Sequence, residues 1–270
     1  MRYSHRFFLY APLGLLLLLA TIVMAYWKYS ADTFDVRLTK ANGHEIMPGV
    51  RLGYASQSVE GFPFRLDSLI DALSIQIETD AGPLAWHAQH FAMHMLDYDQ
   101  SRQIFEADGT QSISWTDAFG SPHVVFFVPG TLRASAITSS GSLARFDIDI
   151  VSLHAPNISG DRLQLHIRRD PVRNALDFVM QGDQLRLSCP KGTAGSRDLT
   201  VEGQLAPADP FRGLLAGRGD WRSAYTGWLR SRGRLVVKRI DAQQPSPSRQ
   251  TLVSCTSDFL QHALAFLGRP

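Results

Sequence analysis

Hydrophobic and polar positions alternate with a period of two along most of the chain. Leu73, Ile75 and Ile77 stand against Ser74, Gln76 and Glu78, and Phe146, Ile148 and Ile150 against Asp147, Asp149 and Val151. Leu163, Leu165 and Ile167 stand against Arg162, Gln164, His166 and Arg168. The same period runs through Phe34, Val36 and Leu38, through Val50, Leu52 and Tyr54, and later through Leu185, Leu187, Leu199, Val201, Leu205, Leu235, Val237 and Ile240. Successive side chains of a strand point to opposite faces, so this period predicts half-buried strands. Turn residues separate them at Gly43, Gly82-Pro83, Pro129-Gly130, Ser140-Gly141, Pro156-Asn157 and Gly182-Asp183. Many short strands joined by turns, without helical periods between them, predict a mostly β protein of antiparallel curved sheets, as a sandwich, half-barrel or open groove.

Three stretches depart from the alternation. Phe7 to Tyr26 carries no charged residue, contains the unbroken run Leu15, Leu16, Leu17, Leu18 and Leu19, and is flanked by Arg2 and Arg6 before it and Lys28 after it. As a helix it would reach roughly 30 Å, the thickness of a bilayer's hydrocarbon core. Tyr26, Trp27 and Tyr29 resemble an interfacial aromatic belt, which favours a retained transmembrane anchor. A signal peptide cleaved after Val23-Met24-Ala25 is the alternative. Both readings export the rest of the chain, and the anchor reading makes residues 1–6 a cytoplasmic stub, 7–26 a helix in the inner membrane, 27–33 a short connection and 34–242 a periplasmic β-rich domain. The second departure, Asp209 to Arg230, spaces Phe211, Leu214, Leu215, Trp221, Tyr225, Trp228 and Leu229 by three or four, with a break at Gly217 and Gly219. The third, Ser257 to Leu267, makes a helical stripe behind the linker 243–250, so that 251–270 forms a C-terminal helical segment.

Composition narrows the partners. Charged residues make up 19% and the formal net charge is +2, a balance that does not point to nucleic acid. Basic residues cluster from Arg212 to Arg239, as a solvated face or as a surface for anionic headgroups. The only cysteines, Cys189 and Cys255, are a candidate disulfide in an oxidising compartment, with two free thiols as the alternative. A bridge closing that loop stabilises by about 4 kcal/mol in the chain-entropy model.

The string Gly61, Phe62, Pro63, Phe64, Arg65 predicts an edge-strand start or bulge that presents two phenylalanines to a core. With the apolar N-terminal run, the preceding strand around Val50 to Tyr54 and the strand around Trp86, it resembles an uncharacterised alphaproteobacterial family, domain-of-unknown-function family 2125. The similarity is best over Phe34 to about Leu205, and the turn is similar to one in AsmA-like proteins. The resemblance implies a membrane-anchored periplasmic β-rich protein and brings no catalytic residues with it.

Candidate chemistry is sparse. His87, His90 and His94 would share a face on a helix, in a spacing suited to zinc, whereas on a strand only His90 and His94 do, and neither carboxylate nor cysteine completes a familiar set. Asp147 and Asp149 share a strand face, as acid and base pairs do, but alternate with apolar residues as a solvated face would. No nucleophile elbow, phosphate loop or dinucleotide fingerprint is present in the sequence. The expectation is therefore a non-enzymatic protein with no cofactor or metal, with membrane lipids as partners and an acyl chain or other hydrophobic ligand held in a groove. The alternative is a scaffold that binds another envelope protein through strand edges or through Trp221, Tyr225 and Trp228.

Overall fold

The computed structural model describes residues 5–79, 82–116, 120–189, 192–243 and 254. The first element, α1 (His5–Ala41), is a single helix. Its apolar half is long enough to cross a membrane, with a mean hydropathy of 1.8 over a stretch with no residue buried in the protein. The helix does not stop at Tyr26. It replaces the expected connection at 27–33 and the expected strand through Phe34, Val36 and Leu38. Both periods fit that segment, but the side chains turned inward are Trp27, Ala31, Phe34 and Leu38, spaced by four, three and four, whereas Val36 is exposed. A helix buries one such stripe; a strand would have buried Val36 with its neighbours.

Thirteen strands follow among the described residues, in one sheet. They are β1 (Glu45–Met47), β2 (Val50–Gly53), β3 (Ser56–Glu60), β4 (Arg65–Thr79), β5 (Gly82–Leu96), β6 (Arg102–Thr116) and β7 (Pro122–Phe127). Then come β8 (Thr131–Ser139), β9 (Ser142–Ala155), β10 (Ile158–Asp170), β11 (Ala175–Cys189), β12 (Gly192–Ala206) and β13 (Arg234–Gln243). The order is β1-β2-β4-β5-β6-β8-β9-β10-β11-β12-β13, with β3 on β4 and β7 on β6, and the pairs are antiparallel. The edges β1 and β13 do not pair, so the sheet stays open.

A line of positive-φ kinks creases the long strands at one level. Ala72, Ser152 and Gln184 hold positive φ of 51°, 54° and 50°. Pairing skips there, from Asp71↔His90 to Leu73↔Ala88 and from Asp183↔Asp198 to Leu185↔Ser196. The register is unchanged across each of these gaps, while β5 and β6 shift register between Ala88 and His90 at the same level, a bulge that bends its strand, and together the interruptions curve the sheet. Burial identifies the inner side of the bend. Leu185, Leu199 and Val201 are 1%, 1% and 0% exposed, in a cluster that among the described residues is drawn from β10 to β13.

Between β12 and β13 lie a short 3-10 turn (Asp209–Phe211), α2 (Arg212–Leu215) and α3 (Trp221–Arg230), where the sequence predicts helix. Asp220 caps α3 by accepting from the Arg222 and Ser223 amides, and Trp228 is buried with its Nε1 donating to the Ala206 carbonyl at 3.2 Å. The Trp221 indole donates to the Glu78 carbonyl at 3.2 Å, so this insert reaches across to the far end of β4. The expected linker after Gln243 and helix over Ser257 to Leu267 lie outside the described residues, as do Cys255 and the side chain of Cys189.

Candidate functional site

The sequence string Gly61 to Arg65 is the turn on which α1 docks. Gly61 holds φ of +102°, and a Cβ there would stand 2.8 Å from the Arg65 carbonyl, so glycine is required for the turn to close. Closure presents that carbonyl to Trp27, whose Nε1 donates to it at 2.8 Å. The Trp27 ring meets Phe62 edge to face with centroids 5.5 Å apart. Ala31 and Phe34, one and two helical turns further on, pack with Leu66, Met93 and Met95 of β4 and β5. The two phenylalanines do not enter a core as the sequence predicts: Phe62 and Phe64 are 51% and 57% exposed, because the turn places them beyond the sheet's end and gives Phe62 the helix as its neighbour.

From that docking point, cross-strand register builds apolar rows. One runs Met93, Phe105, Ala134, Ile148, Leu165, Met180, Val201 and Ile240, each residue directly opposite the next. A second runs Ile70, Phe91, Ala107, Leu132, Ile150 and Leu163. A third joins Met95, Ala136, Phe146, Ile167 and Phe178, interrupted by the polar Gln103 between Met95 and Ala136. Burial along them is uneven. Leu66, Ile70 and Met95 are buried at the α1 end, and Leu199 and Val201 near β13. Between them Phe105, Ala134, Phe146, Ile148, Leu163, Leu165 and Phe178 are only half-buried, whereas the small Ala107 and Ala136 are buried. The rows thus form an apolar trough about five strands wide, at about 4.8 Å per strand, that is closed at its ends and open along its middle.

The opposite face is polar and tied together by ion pairs. His94 meets Asp67 at 2.8 Å and His90 meets Asp71 at 2.9 Å, which assigns two of the three sequence-singled histidines to carboxylates of β4. His87 lies across from Ser74, and no group of three potential metal ligands occurs among the described residues. Asp147 and Asp149 do share a face. Burial works to raise the pKa of Asp147, but bonds from His166 at 2.7 Å, Arg145 and Ser135 outweigh it and hold the carboxyl below its usual range. The bidentate Arg162 guanidinium, at 2.7 and 2.8 Å, does the same for Asp149. Both carboxylates are held ionised by cations, an arrangement that keeps a sheet face wet and does not separate an acid from a base. A hollow of about 750 Å³ lies on this side, lined by Ile137, Arg145, Asp147, His166, Arg168 and Asp177.

The late basic residues also have local partners: Arg212 with Asp209, Lys238 with Asp177, and Arg239 with Asp241. Trp221, Tyr225 and Trp228 stack on one another with centroids 5.6 and 5.9 Å apart, as the internal packing of the insert.

No sequence signal for the trough stands out, because its rows exist only once register is set. The docking residue Trp27 was readable in principle, since it begins the same four-three-four spacing that ends at Leu38. No curated protein and no solved structure matches the chain. One family does, described as an uncharacterized protein conserved in bacteria, over residues 27–248, so the matched region opens at the residue that docks the helix. The chain therefore belongs to that family, domain-of-unknown-function family 2125.

Proposed function

We propose that the protein is anchored by α1 in the inner membrane, with its N-terminus in the cytoplasm and its sheet in the periplasm, and holds the acyl chain of a lipid in the apolar trough. The observation that carries this reading is the half-buried middle of the three rows. A solid β core would cover Ile148 and Leu165 as fully as Leu199 is covered, and an unused sheet face would not be apolar across so many strands. A long, shallow, apolar surface with polar groups only at its borders suits an alkyl chain better than a polar metabolite. Its position beside the membrane end of α1 puts it where such chains are available.

Binding is preferred to catalysis because the titratable side chains of the polar face are engaged in structural ion pairs. The scaffold alternative draws less support, since the aromatic cluster it invoked packs within the insert. Purification of the full chain in mild detergent followed by mass spectrometry of extracted lipid tests the reading. Lipid near one equivalent is expected, and its consistent absence across detergents refutes the proposal.

A further inference from the structure

We infer that the turn at 61–64 and the turn beginning at Asp97 form a second membrane contact, seated in the interfacial zone of the lipid bilayer beside α1. The inference rests on the proposed anchor. Trp27 directly follows the charge-free run that ends at Tyr26, so it lies within one helical turn of the hydrocarbon boundary when α1 spans. Its indole is fixed to the Arg65 carbonyl and to the Phe62 ring, which sets the depth of the whole turn to that of Trp27. The Asp97 amide donates to the Phe64 carbonyl at 3.1 Å, and this bond brings Tyr98 to the same level.

The side chains that these turns project are large and apolar or amphipathic. Phe62, Phe64 and Tyr98 are 51%, 57% and 68% exposed at the tip of one end of the sheet, next to the exposed Tyr26 and Tyr29 of the helix. Tyrosine and tryptophan rings favour the headgroup level, where one side is apolar and the other wet, and phenylalanine gains by entering it. Of the acids at this tip, Asp97 is buried away from solvent and burial pushes its pKa up, whereas Asp99 is held ionised by bonds from the Ser101 hydroxyl and amide and stays with the exposed Glu60 on the water side of the interface. The occupant is therefore lipid, and the closed end of the trough, at Met93 and Met95 under the helix, lies just behind these turns.

Hydroxyl-radical footprinting of the wild-type chain in nanodiscs of phosphatidylcholine and phosphatidylglycerol tests this, with each rate normalised to that of the same residue in the unfolded chain. Phe126, on the far side of the crease and 61% exposed, reports free solvent, and Tyr10, 62% exposed within the apolar half of α1, reports the anchor. Phe64 and Tyr98 are expected to oxidise several-fold more slowly than Phe126, together with a protected Tyr10. Oxidation of Phe64 and Tyr98 at the rate of Phe126, with Tyr10 protected, overturns the inference and leaves the anchor standing. Oxidation of Tyr10 at the rate of Phe126 overturns both.

Discussion

Substituting Ala134→Phe is expected to weaken acyl-chain binding about tenfold while leaving the fold intact. Ala134 is the small residue of its row, with Phe105 and Ile148 directly across on either side. Neighbouring strands stand about 4.8 Å apart, so these two flank a gap of about 10 Å over Ala134. An alkyl chain lying along the row would place about four methylenes over the one strand width, about 4.8 Å, that the new ring fills, each worth about 0.8 kcal/mol when fully buried. The trough covers them on one side, so about half of that burial is at stake, about 1.5 kcal/mol, or a factor of about ten in affinity. The position is half-buried and phenylalanine suits strands, so the ring displaces ligand and does not force core repacking. Titration of a naturally fluorescent polyene fatty acid onto detergent-solubilised protein reads the affinity. Arg133→Phe, one residue away on the polar face, adds the same ring and is expected to change nothing. Equal binding by wild type and Ala134→Phe, or equal loss in both variants, refutes a trough on this face.

Three further outcomes follow from the geometry. Trp27→Phe keeps the ring on Phe62 but removes the 2.8 Å bond to the Arg65 carbonyl, and should cost about 1 kcal/mol, seen as faster amide hydrogen exchange across the 61–66 turn. Ser68 is fully buried on the apolar side with an unpartnered hydroxyl, so Ser68→Ala should stabilise by about 1 kcal/mol, shifting the urea midpoint at unchanged slope. Asp147 and Asp149 are held below their ordinary pKa, so their contribution is fully present above about pH 4 and is lost as pH falls through the lowered folded values. Urea titrations should therefore show stability dropping in that acid range, and Asp149→Asn should flatten the drop.

The strands were legible because each alternating stretch, such as Phe146 to Ile150 or Leu163 to Ile167, carries its own period in its own residues. What the strands make together was not. The kinks at Ala72, Ser152 and Gln184 bear no glycine to announce a positive φ, so the crease has no local signature. The rows of the trough depend on which strand faces which at single-residue precision, a property of pairing and not of any segment. The end of the anchor was hidden for a different reason. Phe34, Val36 and Leu38 satisfy a period of two, and only burial of Trp27, Ala31 and Phe34 against the sheet selects the helix over it. At Phe62 and Phe64, size and hydrophobicity suggested a core, whereas the turn geometry points them out from the sheet's end.

The unbroken passage of α1 from its apolar half into the sheet sets a limit on traffic. A carrier on a flexible leash can swing its cargo away from the surface where it was collected. Here the fifteen or so residues beyond Tyr26 rise about 22 Å as one rigid rod, and Trp27 pins that rod to the platform it supports. Under the proposed function the protein is a stationary berth: cargo leaves only when a recipient comes to the membrane to fetch it, or slips back into the leaflet from which it came.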